Sequence, residues 1–263
     1  MPFYVSPEQA MKDKADYARK GIARGRNSVV VTYDEGILFV APNPSSALHK
    51  VSEIYDRIAF AAVGRYNEYE NLRVAGVRFA DTRGYQYARE DVTARGLANW
   101  YAQVLGSIFT ESNKPYEVEL VVAEVGDTQD ADQMYRITFD GSVADEHGFV
   151  AMGGQADQVA VVLKERYAAG MSIDAALGAA IAALSGQGNG EGGINAAQLE
   201  VAVLARGRAH RSFRRIRSAR LEELLSQPKS GDGEAKPAEG TESKGGAADD
   251  APAEPSPGDG TAP

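Results

Sequence analysis

Few side chains in this chain of 263 residues are of the types that serve as catalytic nucleophiles or metal ligands. There is no cysteine, which excludes disulfides, thiolate metal sites and a cysteine nucleophile. The three histidines are His49, His147 and His210, and their spacing matches neither a catalytic triad nor a zinc site. The stretches "MGGQ" and "GQGNGEGG" lack the lysine and the strand–helix context of a phosphate-binding loop. We therefore expect no metal and no cofactor.

Two hydroxyl side chains, Ser28 and Thr32, lie in the first segment that is predicted to be a β-strand. The segments "NSVVVTY" and "ILFVA" flank an Asp-Glu-Gly turn and predict a β-hairpin. Ahead of this hairpin, Ser6-Pro7 predicts the start of a helix, with the serine as N-cap and the proline in the first turn. Both hydroxyls therefore lie inside the chain, and we interpret them as ordinary strand residues.

Charge is distributed unevenly along the chain, whose formal net charge is −9. Residues 227–263 contain no Leu, Ile, Val, Phe, Tyr or Trp, and their three lysines and eight acids give 3 − 8 = −5. Such a segment cannot bury enough apolar surface to offset its chain entropy, so we expect an acidic, disordered tail. Residues 1–226 are long enough for one domain. No secretory signal and no membrane span are expected.

The order of the predicted elements indicates an α+β fold. A helix is followed by two hairpins, the second of which covers 49–64, and then by two long helices. Three strands, two more helices and a third hairpin follow, and a short helix precedes the tail. Paired strands and paired helices favour antiparallel sheets over alternating βαβ units. We expect two sheets stacked face to face with helices on both outer sides, a four-layer αββα sandwich.

Several segments together resemble the 20S proteasome α-subunits of the actinobacterial type. They are "YVSPEQAM", "YARKGIARG", "GILFVAPNPSSALHKVSEIYDRIAFAAVGRYNEYENLRVAGVRFADTRGY", "KPYEVELVVAEVGD", "YRITFDGSVADE" and "VAMGG". The resemblance runs in unbroken order over about residues 3–226. It implies the fold of the N-terminal-nucleophile hydrolases, which agrees with the four layers predicted above.

The resemblance also implies that this chain is not an enzyme by itself. In the catalytic β-type relatives, an N-terminal threonine begins the first strand, and its free amine helps to activate its hydroxyl. Here that position falls at about Arg26-Asn27, behind a helix. The acid at the end of the second strand is replaced by Pro42, and only the lysine, Lys50, is retained. The alternative is a self-processed hydrolase that begins at Ser28 or another hydroxyl residue.

For an α-subunit, the resemblance implies a role in assembly and gating. Seven such subunits form a ring, and two α-rings cap two catalytic β-rings through which unfolded proteins pass. The helix over 8–25 is expected at the ring face, and Asp16 and Arg19 of its family pattern "DYAR" are expected in the activator-binding pocket together with Lys50, Gly64 and Arg65. The N-terminal arm is expected to gate the pore; its residues are Met1, Pro2, Phe3, Tyr4, Val5, Ser6 and Pro7.

The resemblance places one further site at Lys50, in a pocket between neighbouring subunits. There the lysine is expected to pair with the C-terminal carboxylate of a hexameric AAA ATPase of the Mpa/ARC type, and Gly64 and Arg65 form the other wall. A partly desolvated lysine–carboxylate pair is favourable. This partner implies cytoplasmic degradation of proteins tagged with a small ubiquitin-like protein (Pup).

A basic stretch near the end of the body offers a competing interpretation. "ARGRAHRSFRRIRSAR" has seven arginines between Arg206 and Arg220, and such patches can bind the phosphates of nucleic acids. The chain as a whole is acidic, however, and the stretch has one aromatic residue and lies in a predicted edge hairpin, where charge prevents strand pairing. We therefore expect no nucleic-acid partner.

Overall fold

A computed structural model describes residues 6–186, 196–208, 210–217 and 221–222. The helices are α1 (Pro7–Ala23), α2 (Tyr66–Gln86), α3 (Ala94–Glu111), α4 (Ala156–Arg166) and α5 (Ile173–Ser185). The strands are β1 (Ser28–Tyr33), β2 (Gly36–Pro42), β3 (Val51–Tyr55), β4 (Ile58–Gly64), β5 (Val118–Glu124), β6 (Gln133–Ile137), β7 (Val143–Glu146), β8 (Phe149–Met152), β9 (Leu199–Ala205) and β10 (Phe213–Ile216).

The strands form two antiparallel sheets of five strands each. Sheet A has the order β10-β9-β2-β1-β8, and sheet B has the order β3-β4-β5-β6-β7. All neighbouring strands in both sheets run antiparallel. The hairpins β1–β2, β3–β4 and β9–β10 that the sequence predicts are all present.

Apolar side chains fill three layers, and these confirm the αββα sandwich. One cluster lies between the sheets and includes Val30, Phe39 and Ala61. A second packs the outer face of sheet A against α4 and α5, and a third packs the outer face of sheet B against α2 and α3. Neighbouring residues of β1 therefore alternate between layers, as the period of two in a strand requires.

Helix α1 packs at the mouth of the sandwich, between the two sheets. Its N-cap is Ser6, whose hydroxyl accepts a hydrogen bond from the Gln9 amide at 3.2 Å. Ala18 and Ile22 are buried in the cluster between the sheets. Lys14 donates to the carbonyls of Phe109 and Ser112 at the C-terminal end of α3, where the helix dipole favours a cation.

The structure differs from the sequence prediction at several elements. Strand β7 was not expected. Three of its four residues are exposed, so the strand has no buried apolar face that an alternating sequence pattern would mark. Helix α2 has a weak apolar face: of its apolar residues Leu72, Ala75, Val77 and Phe79, only Leu72 is buried. The helix instead approaches α3 through Gly76, where a Cβ would lie 1.9 Å from the hydroxyl oxygen of Tyr101.

Several predicted segments lie wholly or partly outside the described residues. They include most of the short helix predicted after β10, of which Leu221 and Glu222 are described, and the whole acidic tail. In the part of the chain that is described, no helix is long and apolar enough to cross a membrane.

The outer layer on sheet A provides a matched test of the packing. Val159 lies on the inner face of α4 and is fully buried, whereas Val161, two residues further along the same helix, is 60% exposed. We expect Val159→Ala to lower the free energy of unfolding by about 1–3 kcal/mol, because it removes buried methyl groups and leaves a cavity. Val161→Ala should change it by less than about 0.5 kcal/mol. Urea unfolding of both variants measures the difference; equal losses would contradict the described packing.

Candidate functional site

The two residues directly ahead of β1, Arg26 and Asn27, have side chains that cannot act as nucleophiles. Asn27 is buried, and its Oδ1 accepts the amide hydrogen of Gln155 at 3.2 Å, at the start of α4. Arg26 and Asn27 line a cleft of about 150 Å³ together with Pro42, which is the last residue of β2. The chain continues from Arg26 back into α1, so no free α-amine stands at this position.

The two hydroxyls of β1 are enclosed in the fold. Ser28 is 1% exposed and pairs with Met152 of β8. The hydroxyl of Thr32 donates to the carbonyl of Gly148 at 3.1 Å and lies 2.8 Å from the Tyr167 hydroxyl. A polypeptide substrate cannot reach a hydroxyl buried in this way without opening the sheet.

Lys50 lies directly ahead of β3 and reaches across to the front of β1. Its Nζ donates to the carbonyl oxygen of Arg26 at 3.0 Å, and its own carbonyl accepts the Ala62 amide at 3.0 Å. Burial removes water from the ammonium and lowers the pKa of Lys50 from 10.5 to about 8. Glu200 opposes this change and Arg26 adds to it.

Gly64 and Arg65 follow at the end of β4, close to the C-terminal end of α1. Gly64 has φ +116°, and a Cβ there would lie 1.9 Å from the carbonyl oxygen of Glu117, so only glycine fits. The side chain of Arg65 is 51% exposed, and its Nη1 lies 3.5 Å from Oε1 of Glu117. A Cβ on Gly25 would be 3.3 Å from the Gly64 amide nitrogen, so the end of α1 packs directly against this wall.

Two buried glutamates, Glu68 and Glu117, support the segment that contains Gly64 and Arg65. Lys114 Nζ lies 2.6 Å from Glu68 Oε1 and 3.1 Å from Glu117 Oε1. Burial alone would raise the pKa of Glu117, but hydrogen bonding to Lys114 and the nearby Arg65 charge hold it below its usual value. Gly21 of α1 packs onto this carboxylate, since a Cβ there would lie 2.2 Å from Glu117 Oε2. The position of α1 therefore depends on the ion pairs that hold the Glu117 carboxylate in place.

The structure does not bring Asp16 and Arg19 to Lys50. They pair with each other at 3.1 Å on the exposed side of α1, where both side chains are more than half exposed. The Arg19 guanidinium also lies 5.7 Å from the centre of the Phe139 ring. Within the described ranges, neither residue forms a hydrogen bond or ion pair with Lys50, Gly64 or Arg65.

The gating residues predicted for the arm are described only in part. Ser6 caps α1 and Pro7 is its first residue. Met1, Pro2, Phe3, Tyr4 and Val5 lie outside the described residues.

Sequence reasoning missed Glu200, which lies next to Lys50 in space. This acid lies in β9, and its side chain is only 8% exposed. A signal was present: in "LEVAVLA", Ala202 and Leu204 face the layer between the sheets, and Glu200 shares their phase. A carboxylate at a core position requires strong partners, and these include the backbone amides of Lys50 and Val51.

Acidic partners occupy much of the basic stretch. Arg206 pairs with buried Asp132 at 2.8 Å and also donates to the Gly126 carbonyl. Arg211 pairs with Glu53 at 3.1 Å, and Arg215 pairs with Glu200. Among the described residues, no group of three or more His, Cys, Asp or Glu side chains is placed to hold a metal ion.

Comparison with known proteins gives a consistent result over most of the chain. The family model "Proteasome subunit" matches residues 22–204. A protein of Thermomonospora curvata named "Proteasome subunit alpha" is 69% identical over 227 residues, which cover 86% of this chain and 98% of that protein. Proteins of the same name from Streptosporangium roseum and Thermobifida fusca are 68% and 63% identical, each over 86% of this chain and over 87% and 91% of their own lengths.

The lowered pKa of Lys50 can be measured through its reactivity. A neutral amine reacts with acetic anhydride and an ammonium does not, so labelling of Lys50 should rise with a midpoint near pH 8. Glu200 and Arg26 are the charged groups that act on it. Peptide mass spectrometry after brief labelling across pH 6–11 gives the midpoint, and a midpoint near the ordinary value of 10.5 would contradict the described burial.

Proposed function

The chain belongs to the proteasome subunit family, and from this premise we propose that it is a non-catalytic α-subunit of the 20S proteasome core. The observation that carries the proposal is the front of β1. A threonine protease of this family needs a free N-terminal threonine there, whereas this chain has Arg26-Asn27 joined to a helix. The residues at the front of β1 therefore support a structural role for this chain.

The position of α1 adds a second argument. Ala18 and Ile22 occupy apolar space between the sheets, at the end where β1 starts. A polypeptide substrate would have to displace this helix to approach the first strand. Peptide cleavage is then the work of the β-subunits, and this chain forms the outer heptameric rings of a particle of fourteen α- and fourteen β-subunits.

We further propose that Lys50 receives the C-terminal carboxylate of a hexameric ring ATPase of the Mpa/ARC type. Support comes from its half-buried ammonium, its hydrogen bond to Arg26 and the exposed guanidinium of Arg65 at the same end of the β3–β4 hairpin. Two cations that are partly removed from water attract a carboxylate strongly. Gly64 directly precedes Arg65, and its positive φ and close approach to the Glu117 backbone leave no room for a side chain.

The arm of residues 1–7 is proposed as the gate of the pore, and the helix over 8–25 as a ring-face element. Ser6 supports the gating role of the arm, since its N-cap hydrogen bond fixes the point at which the arm ends and α1 begins. Asp16 and Arg19 remain candidates for contact with the activator or a neighbouring subunit, because both side chains are more than half exposed on α1. The proposal also divides the chain into a body over 1–226 and an acidic tail over 227–263. It places the protein in the cytoplasm, with Pup-tagged proteins as substrates.

Native mass spectrometry tests the assembly. The tagged chain, purified from its own cells, should appear in a particle with fourteen copies of itself and fourteen copies of a second, threonine-initiated chain. Its mass should still include the residues ahead of Ser28, because the proposed subunit needs no self-processing. A monomer or small oligomer that begins at Ser28 or another hydroxyl residue would instead favour the alternative, a self-processed hydrolase.

Replacement of Lys50 tests the docking site. Lys50→Ala should weaken binding of a peptide with the last ten residues of the cognate ring ATPase about 10- to 100-fold, because a charge-assisted pair is lost. Lys164→Ala removes an exposed lysine of α4 and serves as the matched control. Fluorescence anisotropy with assembled particles measures both, and equal affinities would refute the assignment.

A further inference from the structure

We infer that Glu200 is a positioning residue for Lys50, a role that rests on the docking function proposed above. Its carboxylate fixes the backbone from which the Lys50 side chain extends. It does so from β9 of sheet A, whereas Lys50 leads into β3 of sheet B. The acid therefore determines where the docking lysine stands relative to the front of β1.

The first observation is direct contact with the backbone on both sides of the Lys50 carbonyl. Glu200 Oε2 accepts the amide hydrogen of Lys50 at 2.9 Å, and Oε1 accepts that of Val51 at 3.3 Å. Hydrogen bonds to an ionised carboxylate are shorter and stronger than neutral ones. With both amides held, the Cα of Lys50 has little freedom to move along or away from the sheet.

The second observation concerns the loop between β2 and β3. Asn43 donates from Nδ2 to Glu200 Oε2 at 2.8 Å and to the Leu48 carbonyl at 2.6 Å. Its Oδ1 accepts the Ser45 amide at 3.0 Å. The carboxylate thus holds the beginning of this loop as well as its end, and Lys50 lies at that end.

The third observation is that the guanidinium of Arg215 offsets the charge of Glu200. Arg215 of β10 pairs with Oε1 and also donates to the Val51 carbonyl at 2.5 Å, and His49 Nδ1 lies 3.2 Å from Oε1. A bare carboxylate beside Lys50 would repel an incoming carboxylate. With Arg215 bound to it, Glu200 supplies geometry at a small electrostatic cost to the ligand.

The position of Glu200 in its strand shows that stability alone does not account for it. It occupies the inward phase of β9, where Ala202 and Leu204 contribute apolar packing. Burying a carboxylate requires compensation by several partners, and an apolar residue there would need none. The compensating partners include the backbone amides of Lys50 and Val51, so the carboxylate holds the segment that carries Lys50.

The test compares Glu200→Gln with Glu53→Gln in assembled particles. Glu53 lies in β3 and pairs with the exposed Arg211, so its loss removes one negative charge nearby without touching the Lys50 backbone. The probe is the ten-residue ATPase C-terminal peptide with a free carboxylate, and its amidated twin is the reference. Hydrogen exchange of peptides over 43–55 and the labelling midpoint of Lys50 provide readouts that need no ligand.

We expect Glu200→Gln to weaken binding of the free carboxylate peptide at least about tenfold, since glutamine has one acceptor oxygen where the carboxylate uses two, and its NH₂ group would face a backbone N–H. Exchange over 43–55 should accelerate, and the Lys50 midpoint should fall below about pH 8, because Glu200 raises the pKa of Lys50. Glu53→Gln should resemble the unmodified chain. Glu200→Asp, which keeps the charge on a shorter side chain, should also weaken binding, and it serves if the glutamine variant does not assemble.

The outcomes separate the two proposals. Tighter peptide binding by Glu200→Gln would mean that the acid only repels the ligand, and this would overturn the positioning role. Unchanged exchange and an unchanged Lys50 midpoint would overturn it as well. If the unmodified particle does not distinguish the free peptide from the amidated one, the docking function fails. The exchange and midpoint measurements would still decide whether Glu200 positions Lys50.

Discussion

The packing of helix α1 into the mouth between the two sheets is the interaction on which the other features depend. Two stacked sheets bury their facing sides only if the open end is also closed, and Ala18 and Ile22 close it. Close approach is possible because Gly21 and Gly25 leave room for Glu117 and for the backbone at Gly64. Lys14 secures the other half of the helix at the end of α3.

Once α1 is in this position, the chemistry at the front of β1 changes. The strand is entered from a helix, so its first residue has an amide in place of an amine. The ammonium of Lys50 donates a hydrogen bond to the Arg26 carbonyl. The ammonium of Lys50 is half-buried there, which supports its proposed role of binding a carboxylate.

The sequence predicts the fold well where local signals agree with tertiary packing. Ser6-Pro7, the Asp-Glu-Gly turn and the apolar strand "IAFAAVG" all mark elements that are present. It predicts α2 less well, because the helix approaches Tyr101 through glycine and has a weak apolar face. The candidate site follows the same division. Lys50 was proposed from the resemblance. Glu200 was missed although its inward phase in β9 marked it, because the backbone amides that it binds lie about 150 residues away in the sequence.

Strand β9 joins the two sheets at both of its ends. At one end Glu200 holds the amides that lead into β3, and at the other Arg206, directly after the strand, holds Asp132 and the Gly126 carbonyl at the β5–β6 connection. Glu200 and Arg206 are six positions apart, a span of about 20 Å along an extended strand. A sandwich pinned at two such points resists shear, since sliding one sheet over the other must break charged contacts at both ends together. These charged contacts therefore add directional resistance to the apolar layer between the sheets, which by itself has no preferred direction.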